Sequence, residues 1–168
     1  QGHIQMASGY GIDFSPTGNG NSTPTNEVFD DYEEGNWTPE IAGTAVNPTF
    51  TFSSGFPRGK YVKTGATVTL WYDIAWTNIS GGSGTVYLQG FPYSTGGAMY
   101  HGGGSMSHSN GTTNGLSGSN IGGRRHYANA SSVFMFTLLS GTTSSALQVS
   151  HFNSSGHIFG FFTYKTDS

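Results

Sequence analysis

Four of the nine acidic residues fall side by side: Asp30, Asp31, Glu33 and Glu34 straddle Tyr32 in the run FDDYEEGNWTPEI, residues 29–41. Two carboxyls do acid–base or nucleophilic work when they face a substrate about 5 to 9.5 Å apart, and such pairs come from different elements. Neighbours in one local run do not converge that way. A calcium loop would place acidic oxygens at alternate positions with a later bidentate Glu, and no DxDxDG run is present. The plainer expectation is a solvated acidic turn ahead of the first strand. The other acids, Asp13, Glu27, Glu40, Asp73 and Asp167, are scattered.

Six histidines (His3, His101, His108, His126, His151, His157) form neither HExxH nor HxH. A metal site would have to be assembled by the fold, so surface or subunit-interface histidines are expected, with no metal and no cofactor. HGGG at 101–104 has the form of an esterase oxyanion loop, but no GxSxG elbow accompanies it. The Gly-rich runs lack the strand–GxGxxG–helix context and the GK[ST] of phosphate loops. Aromatics are left: Tyr10, Tyr93, Tyr100 and Tyr127 flank polar turns. Flat rings beside amides and carboxylates suit a pyranose, which has one apolar face and a rim of hydroxyls. The same groupings also serve as ordinary core and interface residues.

What positions these residues follows from composition and periodicity. The 168 residues fit one domain, 9 % of them are charged, and the net charge is -3. Six Lys and Arg make no basic stripe, which argues against nucleic acid and against an electrostatic membrane patch. The longest apolar runs, 133–139 and 158–162, are far shorter than the 18 or so residues of a membrane span, so no insertion is expected. Without cysteine there is no disulfide framework. The chain opens on Gln1, as a fragment or processed product would.

Residues 1–28 are dense in turn formers and read as an extended arm that needs a partner surface. From Trp37 onward short strand patterns recur. In 66–76, Val68, Leu70, Tyr72, Ile74 and Trp76 share one face, leaving Trp71 on the polar face in need of a second cover. Further strands are expected at 48–53, 59–64, 84–91, 98–103, 124–129, 132–139, 145–152 and 157–166. No 3.6-residue period occurs, so the fold expected is all-β, an antiparallel, jelly-roll-like β-sandwich. The arm and acidic junction take residues 1–35 and the sandwich 36–168. The Gly/Ser-rich stretch 104–123 is expected to be a variable contact loop. With the flanking tyrosines it gives the receptor-binding candidates Tyr93, Tyr100, His108, Asn110, Asn114 and Tyr127.

The segment 11–41, GIDFSPTGNGNSTPTNEVFDDYEEGNWTPEI, resembles the (L/F)DDYEEGxWTP segment of bacteriophage tail fibre and related virion fibre proteins, especially of marine and cyanobacterial phages. GKYVKTGATVTLWYDIAW, 59–76, is similar to that family's GxYxKxGxxVxxxxxI strand pair, and LQGFPY, 88–93, to its IxGLPF segment. Asn36 and Phe91 depart from the commoner Thr and Leu. The resemblance implies a homotrimeric β fibre domain, extracellular on the virion surface of tail or head, joined to other virion proteins on its N-terminal side. It implies attachment to a host-surface glycan or protein and supplies no catalytic residues. A head decoration fibre or a purely structural segment is the alternative, and a polysaccharide-degrading tailspike enzyme a further one. Three copies about a common axis would order the arm's Ile4, Met6, Tyr10, Ile12 and Phe14. Ile12, Phe14, Tyr32 and Trp37 are the expected packing anchors.

Overall fold

The computed structural model describes residues 5–7, 10–13, 28–29, 31–94, 102–109, 120–125, 132–138 and 144–166. In chain order the strands are β1 (Ile12–Asp13), β2 (Val28–Phe29), β3 (Tyr32–Trp37), β4 (Glu40–Gly43), β5 (Thr49–Phe52), β6 (Arg58–Thr64) and β7 (Thr67–Ser80). They continue with β8 (Val86–Gln89), β9 (Gly103–Ser109), β10 (Asn120–Arg125), β11 (Ser132–Leu138), β12 (Ser144–Ala146) and β13 (Gly156–Lys165). Among the described residues a 3-10 turn, Val149–His151, precedes β13. All the strand pairs are antiparallel, and β1 and β2 form a small sheet of their own.

The long strand β7 is the spine. Its alternation puts Val68, Leu70, Tyr72, Ile74 and Trp76 on one face, and all five are buried. Aromatic and β-branched side chains dominate β7, and such residues pack well on a pleated surface. One edge of β7 carries β13 through ten residue pairs, from Lys165↔Thr67 to Gly156↔Trp76. The opposite edge carries β6 against Thr67–Asp73 and then β5 against Trp76–Ser80, with a bulge between Thr51 and Phe52.

The larger sheet runs β3-β6-β7-β13-β9-β10-β11-β8-β4. A flat sheet of nine strands at about 4.8 Å spacing would hold its ends about 38 Å apart. Yet β3 ends at Trp37 and β4 begins at Glu40, a link that reaches about 11 Å at full extension. The sheet must therefore roll over until its two ends meet beside Pro39, which encloses one core between its halves. Trp37, Ile41, Leu88, Phe91, Met106, Leu147, Phe152, Ile158, Phe162 and Tyr164 fill that core with the β7 face. Phe91 stands edge-on to Trp37 at 5.7 Å and stacks on Tyr164 at 5.3 Å, while Trp76 meets Phe50 and Phe152 edge-on, both at 5.4 Å. Each fully buried apolar side chain of this kind contributes about 1.5–3 kcal/mol.

The all-β, antiparallel class is as expected, and its two layers are halves of one continuous sheet. Three expectations change. Residues 104–123 are not one loop: 103–109 and 120–125 are β9 and β10, paired with each other, and 110–119 lie outside the described residues. Small residues give no periodic signal there, and the pairing comes from β13 and β11 on either side. The strand expected over 145–152 stops at Ala146 and continues into the 3-10 turn, where the His151 Nδ1 accepts the Gln148 N–H at 3.1 Å. The boundary expected at 35/36 falls inside β3, which pairs residue for residue with β6 from Tyr32↔Thr64 to Trp37↔Gly59.

Candidate functional site

Because β3 pairs with β6, the acidic run is drawn into the sheet. Lys63 on β6 is only 6 % exposed; its ammonium pairs with the Asp31 carboxylate and lies 5.6 Å from the Tyr93 ring centroid. The Tyr61 hydroxyl donates to the Glu33 carboxylate, and the Tyr32 hydroxyl donates to Glu34 at 2.8 Å. Gly35 makes room for the Tyr61 ring, since a Cβ there would sit 2.8 Å from it. The bond from Tyr61, then that from Tyr93, holds the Glu33 carboxyl below the usual range, and the same bond to Glu33 raises the Tyr61 hydroxyl. A carboxyl kept ionised in this way is a poor proton donor near neutral pH. Asp31 and Glu33 therefore clasp the start of β3 to β6, whereas the Tyr32–Glu34 bond stays within β3 on its other face.

Trp37 completes the clasp. Its indole N–H reaches the carbonyls of Lys60 and Trp71, both at 3.1 Å. Gly59 permits this approach, because a Cβ there would lie 2.4 Å from the indole nitrogen.

On the opposite side of the same strands lies an uncovered face. Register places Asn36, Lys60, Trp71, Phe161 and Ser105 in one row across β3, β6, β7, β13 and β9. The next row holds Arg58, Asp73, Phe159 and Ser107. Trp71, Phe159 and Phe161 are 46 %, 41 % and 45 % exposed. Shallow grooves of about 370 and 540 Å³ adjoin Trp71, one toward Lys60 and one toward Phe159.

The charge within this face is compensated. Arg58 donates to Asp73 Oδ2 from Nε at 2.9 Å and from Nη2 at 2.7 Å, and His157 Nε2 bonds Oδ1. Partial burial pushes the Asp73 carboxyl up, but its bonds to His157 and Arg58 and their charges outweigh that and hold it below its ordinary value. The guanidinium also lies 4.6 Å from the Phe56 ring centroid. One row along, Thr69 and Thr163 bond hydroxyl to hydroxyl at 3.1 Å.

The two described acids on this face stand apart. Glu34, the other acid on this face, stands two strands and four residues away from Asp73, about 17 Å at standard strand spacing and rise. That exceeds the separation over which two carboxyls share a glycosidic bond. Among the described residues no cluster of three or more His, Asp or Glu is arranged to hold a metal.

The residues singled out from sequence are dispersed. Tyr93 is half-buried at the core margin, where its carbonyl accepts the Tyr164 hydroxyl at 2.8 Å. His108 pairs with Ile158 on β9, on the same face as buried Met106. Six residues of β13 separate the two, about 20 Å, so they do not share a site. Tyr100, Asn110, Asn114, Tyr127 and Phe14 lie outside the described residues. Trp37 is buried, whereas Ile12 and Tyr32 are exposed within this chain. Phe159 and Phe161 were not singled out, although the alternation of Ile158, Phe162 and Tyr164 on the core side carried the signal.

No family model matches the chain, and no curated protein matches it significantly. The rolled antiparallel sheet is a fold also present in a tailspike. That neighbour is the Dettilon tailspike protein, known from a crystal structure, which superposes with a TM-score of 0.58 over 80 % of this chain at 15 % identity. The matched part is 24 % of the tailspike, so this chain spans about a quarter of it, and at this identity the likeness is one of fold.

Proposed function

We propose that this chain is the β domain of a bacteriophage fibre or tailspike-like protein. In this reading it is a homotrimer displayed on the virion surface and used in attachment to a host-surface glycan or protein. The observation that carries the reading is the fold shared with part of a tailspike. The DDYEEGNWTP segment supports it independently, because Asp31, Glu33, Gly35 and Trp37 are spent on clasping β3 to β6 and β7. A segment that specifies architecture is what a fibre signature would be. Three tethered copies would multiply weak individual contacts.

The domain is proposed as a binding module without hydrolytic activity. Asp73, the most promising isolated acid, is committed to Arg58 and His157, and Glu34, the other described acid on its face, stands about 17 Å from it. The test is to incubate the fluorescently labelled chain with a panel of bacterial cells and with polysaccharides purified from those it binds. Saturable binding without new reducing ends is the expected result. Binding to no cell, or reducing ends that disappear in Asp73→Asn, would overturn the reading.

A further inference from the structure

Resting on the homotrimeric reading above, we infer that the outward face centred on Trp71, Phe159 and Phe161 is the surface through which one copy of this chain packs against the next. Several exposed apolar side chains stand in other parts of the chain, among them Val46 and Phe52. These three gather on adjacent, directly paired strands. A contiguous exposed apolar patch on a folded chain marks an interaction surface.

Several polar groups beside the rings are paired within the chain, while Lys60 and Asn36 continue the Trp71 row toward the β3 edge of the face. Asp73 is compensated by Arg58 and His157, and Thr69 by Thr163. Charge leaves water at tolerable cost only when paired and hydrogen-bonded. Interface centres are correspondingly poor in charge and rich in aromatics and Arg. A site for a hydroxylated small ligand is instead concave and keeps polar groups turned toward its guest. This face is the outside of five regular strands, about 20 Å across by standard spacing, which is the footprint of another folded surface.

A second copy fits better than an unrelated partner, because the same chain has a second uncovered apolar set. Met6, Tyr10, Ile12 and Phe29 are exposed, and β1 with β2 is a ladder of only two pairs, too short to stand alone. Identical copies arranged about one axis can cover both surfaces in every subunit at once.

Because the chain has no cysteine, single thiols report on the face directly. Ser107→Cys places one on the face and Ser54→Cys places one on the exposed turn before β6. With the full chain at oligomeric mass, Ser107→Cys should react with a bulky maleimide about tenfold more slowly than Ser54→Cys, and the difference should vanish in guanidinium. If Ser107→Cys does not assemble, Ser105→Cys in the neighbouring row gives the same reading. Equal labelling rates in an intact oligomer would overturn the face and leave the trimer standing. A monomeric wild-type chain would remove the trimer itself. Protection that arises only when soluble dextran is added would assign the face to a saccharide and overturn the inference.

Discussion

The two faces of the β7–β13 pair are built from alternate residues of the same strands and meet opposite fates. Inward, Val68, Leu70, Tyr72, Ile74 and Trp76 meet Ile158, Phe162 and Tyr164 and are closed over by the far half of the rolled sheet. Outward, Trp71, Phe159 and Phe161 are equally aromatic and remain partly exposed. Parity along a strand decides which side chains can reach the core, while residue type tells how many covers the sheet needs. Here the inner cover comes from the chain itself, and the outer face is the one proposed to meet a second copy.

Substitutions sort along that contrast, from the core outward. Trp76→Ala should cost about 3–5 kcal/mol, seen as a large drop in the urea midpoint, because it removes a fully enclosed indole and its bond to the Asn153 carbonyl. Gly59→Ala should cost about 1–3 kcal/mol by forcing Trp37 off its two carbonyls. Near-UV circular dichroism would register the moved indole. Should Gly59→Ala prove neutral, the clasp between β3, β6 and β7 is looser than described. Tyr164→Phe should cost about 1 kcal/mol through the lost bond to Tyr93.

On the outer face the effects within one subunit are smaller and depend on conditions. Asp73→Asn should lower stability by at most about 1 kcal/mol at neutral pH, since Arg58 is well exposed. The native carboxyl titrates below its unfolded value of about 3.9. Its contribution is therefore fully present above that value and is lost as pH falls through the native one. Wild type and variant should converge in acid melts, and a gap that widens there would contradict the assignment. Trp71→Ser should change the intrinsic stability of a subunit by no more than about 0.5 kcal/mol, yet abolish assembly.

Much of this was legible in the sequence where side chains alternate strongly. The buried face of β7 and the odd placement of Trp71 both follow from period two. The partners of the acidic residues were not legible, because Lys63 and Tyr61 reach them only through the β3–β6 register. Strand β9 was hidden by glycine and serine and β10 by its central Gly-Gly, whose lack of bulk leaves pairing to be imposed by neighbouring strands. The outer face was half visible. Trp71 announced it, and Phe159 and Phe161 became its companions once β13 was placed beside β7.

The most direct test is the mass of the chain in solution, measured by sedimentation equilibrium on wild type and Trp71→Ser in parallel at micromolar concentration. The account predicts three times the 17.7 kDa chain mass for wild type, and a single chain mass for the variant with an unchanged far-ultraviolet spectrum. A monomeric wild type, or a Trp71→Ser variant that still assembles as a trimer, would contradict it.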